Sequence, residues 1–218
     1  MISVLIPIYN GIEYIDESVQ SVLFQTYTDW ELLIGINGHP ENSVIFQKAK
    51  LYESLDHRIK VFDFPEIRSK ALTLNQMVKH CKYGFVALLD VDDIWHHKKL
   101  EVQVSFLDKY DVVGSNCMWF GDVNNVVPPI PVRDISQFNF AQTNPIINSS
   151  AIIRKDLCFW NNHGIEDYDM WLRLRKQNCT FYNCPEILVK HRIHKASAFN
   201  SKGHGHLVPA LLKQHVLA

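Results

Sequence analysis

The first ninety residues switch repeatedly between two hydrophobic periods, and that alternation limits the chain to few folds. "ISVLIPI" (2–8), "WELLIGI" (30–36), "RIKVFDF" (58–64) and "GFVALLD" (84–90) are short apolar runs of strand length. Between the first two, "EYIDESVQSVLFQT" (13–26) repeats apolar residues at helical spacing through Tyr14, Ile15, Val19, Val22 and Leu23. "NSVIFQKAKLYES" (42–54) and "RSKALTLNQMVKHCK" (68–82) supply two further helices. A brief continuous apolar run suits a strand buried on both faces, whereas i, i+3, i+4 spacing suits an amphipathic helix. Strand–helix units of this length connect by right-handed crossovers, which predicts an α/β fold with a mostly parallel central sheet flanked by helices. Ligands of such sheets bind outside the carboxyl ends of the strands. That rule places residues 7–10, 37–39 and 90–93 along one edge.

The second half is less regular. "KKLEVQVSFLDKY" (98–110) predicts a helix, "DVVGSNCMWFG" (111–121) a strand and turn, "SSAIIRK" (149–155) a strand, "EDYDMWLRLRKQ" (166–177) a helix and "EILVKHRIH" (186–194) a final strand. Residues 123–147 hold four prolines and little periodicity, with Phe138 and Phe140 as exposed-looking aromatics. They predict a long surface excursion that faces a substrate. From Ser197 onward the chain carries Gly203 and Gly205 and then an amphipathic segment at 207–217, which predicts a mobile lid or tail plus a short helix. No linker or internal repeat interrupts the chain, so we expect one domain.

Composition removes several classes of function. Lys and Arg number 22 against 23 Asp and Glu, so no net basic field draws the chain to nucleic acid. The five cysteines (Cys81, Cys117, Cys158, Cys179, Cys184) are odd in number and contain no C-x-x-C pair. They argue against a disulfide framework or a Cys-based zinc site and suit a reducing compartment. "MISVLIPIYN" lacks a basic leader region, and no run of eighteen apolar residues occurs. We expect a soluble, cytoplasmic chain without an integral membrane segment, with peripheral membrane association still open. In the tail, His204 and His206 in "GHGH" lack a third ligand at metal spacing, so no zinc site is expected there.

"FVALLDVDDIW" (85–95) runs an apolar strand straight into Asp90, Asp92 and Asp93. Residues two apart in a strand point to one side, so Asp90 and Asp92 can converge on a ligand. Packed carboxylates repel unless a cation or protons neutralise them. A hard divalent ion sharing the oxygens of a diphosphate meets that demand, and so, from this stretch alone, does an Asp-rich turn. Similarly, Glu166 and Asp167 in "GIEDYDMWLRL" suit either proton transfer or the capping of a helix start. Arg68 and Lys70 suit either phosphate neutralisation or a solvated first helical turn. Arg192 and His194 lie two apart and share one strand face, with His191 and Ile193 on the other.

"LLDVDDIWHHKKLEVQ" resembles the acidic segment of family 2 glycosyltransferases of the GT-A fold. "SVLIPIYNGIEYIDESVQSVLFQTYTDWELLI" resembles that family's opening strand, P-x-Y-N turn and helix, and "KALTLNQMVKHCKYGFVALLD" resembles its asparagine-bearing helix before the acidic strand. "NSSAIIRKDL", "EDYDMWLRL" and "HRIHKAS" resemble later blocks in the same order. The resemblance covers residues 2–198 except chiefly 123–145. It implies a GT-A domain over 1–198, with a nucleotide-sugar donor half (1–95), an acceptor and catalytic half (96–198) and a tail (199–218).

The resemblance also implies roles. Pro7, Tyr9 and Asn10 would shape the nucleotide site, with Tyr9 stacking on the base. Asn37 in "GINGH" stands where the family has the second Asp of D-D-x-S, which accepts a hydrogen bond from uracil. Asn keeps an acceptor but loses the charge, so a uridine donor is expected with the base in question. Lys70 would neutralise phosphate. Asp90 and Asp92 would contact the donor ribose and the metal-bridged diphosphate, Asp92, Asp93 and His194 would serve Mn²⁺ or Mg²⁺, and Arg192 with Lys195 would neutralise the leaving group. Asp167 would be the catalytic base and Glu166 would shape the site of a glycan, lipid-linked or protein hydroxyl acceptor. Trp171 and Leu172 belong to the core. The expected activity is metal-dependent, inverting sugar transfer. A nucleotidyltransferase would show a Gly-rich basic loop that "PIYNGIEYIDES" lacks. A non-catalytic nucleotide-sugar binder is compatible with Asn37 but would not need both D-x-D-D and Glu166–Asp167.

Overall fold

The computed structural model describes residues 1–195 and 204–216. Strands β1 (Ile2–Ile8), β2 (Trp30–Asn37), β3 (Ile59–Phe64) and β4 (Phe85–Leu88) form a parallel block in the order β3-β2-β1-β4. Helices α1 (Ile15–Leu23), α2 (Val44–Lys50) and α3 (Lys70–His80) make the three crossovers. Strand alternation decides which helix meets which face. Ile2, Val4, Ile6 and Ile8 pack with Ile15, Val19 and Val22 of α1 and Ala49 of α2. Leu5 and Leu33 point the other way, to Ala71, Leu74 and Met77 of α3. Each such side chain contributes about 1.5–3 kcal/mol when fully buried. Gly35 of β2 lets α3 approach closely, since a Cβ there would lie 2.5 Å from the Met77 sulfur.

Beyond β4 come β5 (Ile94–Trp95), α4 (Lys99–Val104), β6 (Val112–Gly121), β7 (Arg133–Asp134), β8 (Ile152–Arg154), α5 (Glu166–Lys176), β9 (Phe181–Ile193) and α6 (Val208–Val216). The sheet continues β4-β8-β6-β9-β5, with β7 also on β9. Strand β8 is antiparallel to both β4 and β6, and β5 and β7 are antiparallel to β9, whereas β6 and β9 are parallel. The sheet is therefore mixed rather than mostly parallel. Parallel pairing needs a crossover, usually a helix; no α-helix separates β6 from β8, and the chain returns antiparallel.

Other boundaries differ from the sequence reading. The helix predicted at 98–110 is regular only over Lys99–Val104, and the last strand begins at Phe181. The strand predicted at 149–155 is a 3₁₀ turn (Asn148–Ser150) followed by β8. The excursion at 123–147 is no simple surface loop. Phe140 is 2% exposed and meets Phe181 edge-on at 4.8 Å, and Ile135 and Ile146 are buried in the same core as Trp171. The segment packs Ile135, Phe140 and Ile146 into one cluster with Val112, Ile153 and Phe181 of the sheet. In the tail, Leu211 of α6 is buried in that core, while residues 196–203, where much of the predicted lid falls, lie outside the described residues. All five cysteines are free, and among the described residues no helix is long and apolar enough to cross a membrane.

Candidate active site

The carboxyl ends of β1, β2 and β4 open at one edge, and the loops after them carry the first group of residues. Tyr9 follows β1 with 46% of its surface exposed, and its ring stacks on His39 at 5.3 Å. Between them Gly38 holds φ +70°, and a Cβ would come within 2.9 Å of the Tyr9 ring. Only glycine meets both demands. Asn37 is buried, and its amide nitrogen donates to the Ile67 carbonyl at 3.1 Å. Its remaining side-chain oxygen is thus an acceptor, as a uracil imide requires. Pro7 lies within β1 opposite Gly35, Asn10 is exposed on the following turn, and Arg68 flanks Gly38.

The acidic cluster resolves into three carboxylates with three different partners. Lys70 Nζ lies 2.5 Å from Asp90 Oδ1, and the Asn148 amide donates to both Asp90 oxygens at 3.2 and 3.0 Å. Burial works against the Asp90 charge, but the Lys70 ammonium outweighs it and holds the carboxyl below its usual range. Asp93 turns inward. It has no exposed surface, and its oxygens meet His191 Nδ1 at 3.0 Å and the Arg192 backbone N–H at 2.8 Å. Burial opposes the His191 charge, yet Asp93 pushes the imidazole up to about 9, which favours its charged form at neutral pH. Asp92 Oδ2 lies 2.9 Å from His194 Nε2. Burial and then repulsion from Asp93 and Asp90 raise its carboxyl, which marks the place where positive charge is short.

Of the expected metal group, Asp93 has its oxygens directed to His191 and the Arg192 backbone N–H inside the fold. Among the described residues no three His, Cys, Asp or Glu side chains form a metal-holding group. Asp92 and His194 remain as a pair of one hard oxygen and one imidazole donor, a set that suits Mn²⁺ or Mg²⁺ when other ligands come from elsewhere. Arg192 and His194 do share a face, since both meet the Tyr14 ring, at 4.5 and 5.6 Å. The Arg192 guanidinium also lies 4.4 Å from the Phe120 ring and bonds Glu17 at 2.9 Å and the Asp92 carbonyl at 2.8 Å. It braces the acidic turn, whereas Lys195 is exposed.

The second half contributes the first turn of α5. Lys70 Nζ is 3.7 Å from Glu166 Oε1, so one ammonium lies between the acidic turn and the helix start. Burial would neutralise it, but Asp90 and Glu166 overcome that and keep it charged. Burial and the Glu166 charge push the neighbouring Asp167 up to about 6, with Lys70 opposing. Asn144, from the Pro-containing excursion, donates to Asp167 Oδ2 at 3.4 Å. The fold thus gathers Lys70, Asp90, Glu166 and Asp167, with Asp92, His194 and Arg192 on the far side of the acidic turn. Sequence reasoning named neither Asn148 nor Asn144. Asn148 opens the "NSSAIIRKDL" block and is legible there, whereas no periodicity marks Asn144.

Residues 3–188 match the family described as "Glycosyl transferase family 2". The chain belongs to this family. It is 30% identical over 212 residues to the "O-antigen biosynthesis glycosyltransferase WbnJ" of Escherichia coli, covering 92% of this chain and 83% of that protein. It is also 30% identical over 217 residues to the E. coli "UDP-Glc:alpha-D-GlcNAc-diphosphoundecaprenol beta-1,3-glucosyltransferase WfgD", covering 93% and 81%. S. aureus TarS 1–349, solved in complex with UDP-GlcNAc, superposes with a TM-score of 0.77 at 16% identity, over all of this chain and 68% of that one. A mannosyltransferase from Pyrobaculum calidifontis, in complex with GDP-Man and Mn²⁺, gives 0.71 at 14% identity, covering 99% and 61%. The fold is of the GT-A type, and this family 2 glycosyltransferase transfers a sugar from a nucleotide-sugar donor.

Proposed function

We propose that this family 2 member is a metal-dependent, inverting glycosyltransferase that uses a uridine diphosphate sugar and glycosylates a hydroxyl group. The observation that carries the proposal is the meeting of Lys70, Asp90, Glu166 and Asp167 at the donor edge of the sheet. An acceptor hydroxyl is a weak nucleophile, and a carboxylate within reach takes its proton as the oxygen attacks C1 of the sugar. As that bond forms, the bond from C1 to the diphosphate oxygen breaks, and single displacement inverts the anomeric centre. Asp167 fits the base because a carboxyl near 6 is mostly charged at neutral pH yet more basic than an ordinary aspartate. Lys70 keeps its charge and stands by to orient Asp90 and offset negative charge. A divalent cation held by Asp92 and His194 would supply positive charge to the departing diphosphate.

Uridine is favoured by the fixed Asn37 acceptor and by the uridine nucleotides in the names of WfgD and the TarS complex. A glycan or lipid-linked hydroxyl acceptor follows the printed names of WbnJ and WfgD. The free cysteines suit a cytoplasmic place of action. The Asp167→Asn variant tests the base. It should bind a uridine diphosphate sugar with Mn²⁺ as tightly as the parent and lose about 10²–10⁴-fold in kcat. Full transfer by this variant would sink the base assignment, and a thermal-shift screen in which no uridine nucleotide stabilises the protein would sink the donor assignment.

A further inference from the structure

Helix α5 carries a second buried carboxylate that proton transfer does not use. Asp169 has no exposed surface, although it lies only two residues beyond Asp167. One oxygen meets His215 Nε2 of α6 at 2.7 Å, and the other accepts from the Asn161 amide at 2.8 Å. His215 is itself mostly buried, with 10% of its side chain exposed. Leu211 is buried one turn earlier in α6, and Leu207, Val208 and Leu212 pack around it. Helix α6 lies beyond the stretch matched by the family, which ends at residue 188.

Asn161 belongs to a short loop that also grips α3. Asn162 Oδ1 accepts from the Ser69 hydroxyl at 2.6 Å, and Ser69 is the N-cap of α3, immediately before Lys70. Asn75 of α3 closes a reciprocal pair with the Trp160 backbone, donating to its carbonyl at 2.8 Å and accepting from its N–H at 3.0 Å. Three consecutive residues, 160–162, thus hold α3 on one side and Asp169 of α5 on the other.

We propose that His215, through Asp169 and Asn161, is a positioning residue for sugar transfer: the C-terminal helix clamps the 160–162 loop and keeps Lys70 and the Glu166–Asp167 turn in register. A wholly buried carboxylate stripped of its imidazole must take a proton or draw in water, and either change slackens its grip on Asn161. A displacement of about 1 Å at a reacting group costs on the order of 10²-fold in rate. The assignment rests on the reading of the Glu166–Asp167 turn as part of the transfer site, because positioning matters to kcat only if this turn takes part in the chemistry.

The test is a cycle of His215→Ala, Asp169→Asn and the double variant in the full chain, assayed with a uridine diphosphate sugar and acceptor. His215→Ala should lower kcat by about tenfold or more and leave donor KM and UDP affinity within twofold. His215→Gln, whose amide can still donate to Asp169, should restore most of the rate. In the Asp169→Asn background, His215→Ala should add little. If His215→Ala does not fold, Asn161→Ala reads the same clamp from the loop side and should give the same split of kcat from KM. Unchanged kcat in a folded His215→Ala or Asn161→Ala protein, or effects that add fully in the double variant, would overturn the proposal. An active Asp167→Asn with an impaired His215→Ala would instead fail the base reading alone.

Discussion

In the parallel half, β1 to β4, the functional groups hang from regular backbone: Tyr9 follows β1, Asn37 ends β2, and Asp90 lies two residues past β4. In the other half, Glu166 and Asp167 open a core-packed helix that irregular chain leads into, and Asn161, Asn144 and His215 tie its first turn to other elements. A parallel sheet staggers its strand ends by ladder hydrogen bonds, so its edge is preorganised by the fold itself. A helix start reached by irregular chain has no such ladder. The difference separates the two groups: the acidic turn is placed by the strand ladder, and the α5 turn depends on contacts made far away in the sequence.

Replacement of a donor-side carboxylate should therefore cost most. Asp92→Asn removes the charge at the one position of the acidic turn where positive charge is short, and kcat/KM should fall about 10³-fold, in keeping with several kcal/mol of transition-state stabilisation from a metal site. The loss should not be rescued by added Mn²⁺. Asp93→Asn should act otherwise, lowering thermal stability through the lost His191 pair while metal-dependent transfer survives in the folded fraction. Equal loss of Mn²⁺ dependence in both variants would show that the inward-facing Asp93 turns toward the ligand.

The contrast between the halves also explains what could be read without coordinates. Strands β1 to β4 and helices α1 to α3 are legible because burial on both sheet faces leaves continuous apolar runs and helical stripes. The acidic turn and the Glu166–Asp167 pair are legible as motifs. The direction of β8 is not, because a strand of three residues carries the same pattern in either orientation. The inward turn of Asp93 depends on His191, 98 residues later, and no local period records such a pairing. Phe140 reads as exposed in the sequence because prolines around an aromatic suggest a loop, while its burial rests on Phe181 of β9. Phe140→Ala should accordingly destabilise the protein by about 3–5 kcal/mol, as for a core aromatic. Val44→Ala, at 85% exposure, should change stability by about 0.5 kcal/mol or less. Urea unfolding of Phe140→Ala, with Val44→Ala of α2 as the exposed reference, decides whether Phe140 is core or cover.

A smaller effect separates the halves by pH. Asp167 must be charged to act as base, so kcat should rise with pH through about 6. The Lys70 ammonium opposes the upward push on Asp167, so Lys70→Met should move that limb to higher pH. At pH 7 the variant should lose a few-fold more rate than at pH 8.5, and a pH–kcat profile with an unmoved limb would break the link between the halves. The same shift acts on stability with the opposite sense. Between about pH 4 and 6 the folded state holds a proton that the unfolded chain has released, so stability falls as pH rises across that window. Asp167→Asn should then raise Tm at pH 7 to 8 even as it slows transfer, by about 2–4 °C per kcal/mol released.

The smallest effect should come from Asn37→Asp, which makes the chain match the D-D-x-S pattern more closely. On charge alone a carboxylate would strengthen the hydrogen bond from a uracil imide. Here, however, the Asn37 amide nitrogen donates to the Ile67 carbonyl at 3.1 Å inside a buried turn. An aspartate would set an acceptor against an acceptor at that position and leave the Ile67 carbonyl without this donor, a cost of about 1–3 kcal/mol that offsets the gain. UDP affinity should therefore fall by a few-fold or stay level, measured by calorimetry at fixed Mn²⁺. Tighter binding of UDP would mean that the loop after β3 moves to accommodate the charge, and that the donor edge is less rigid than its parallel strands imply.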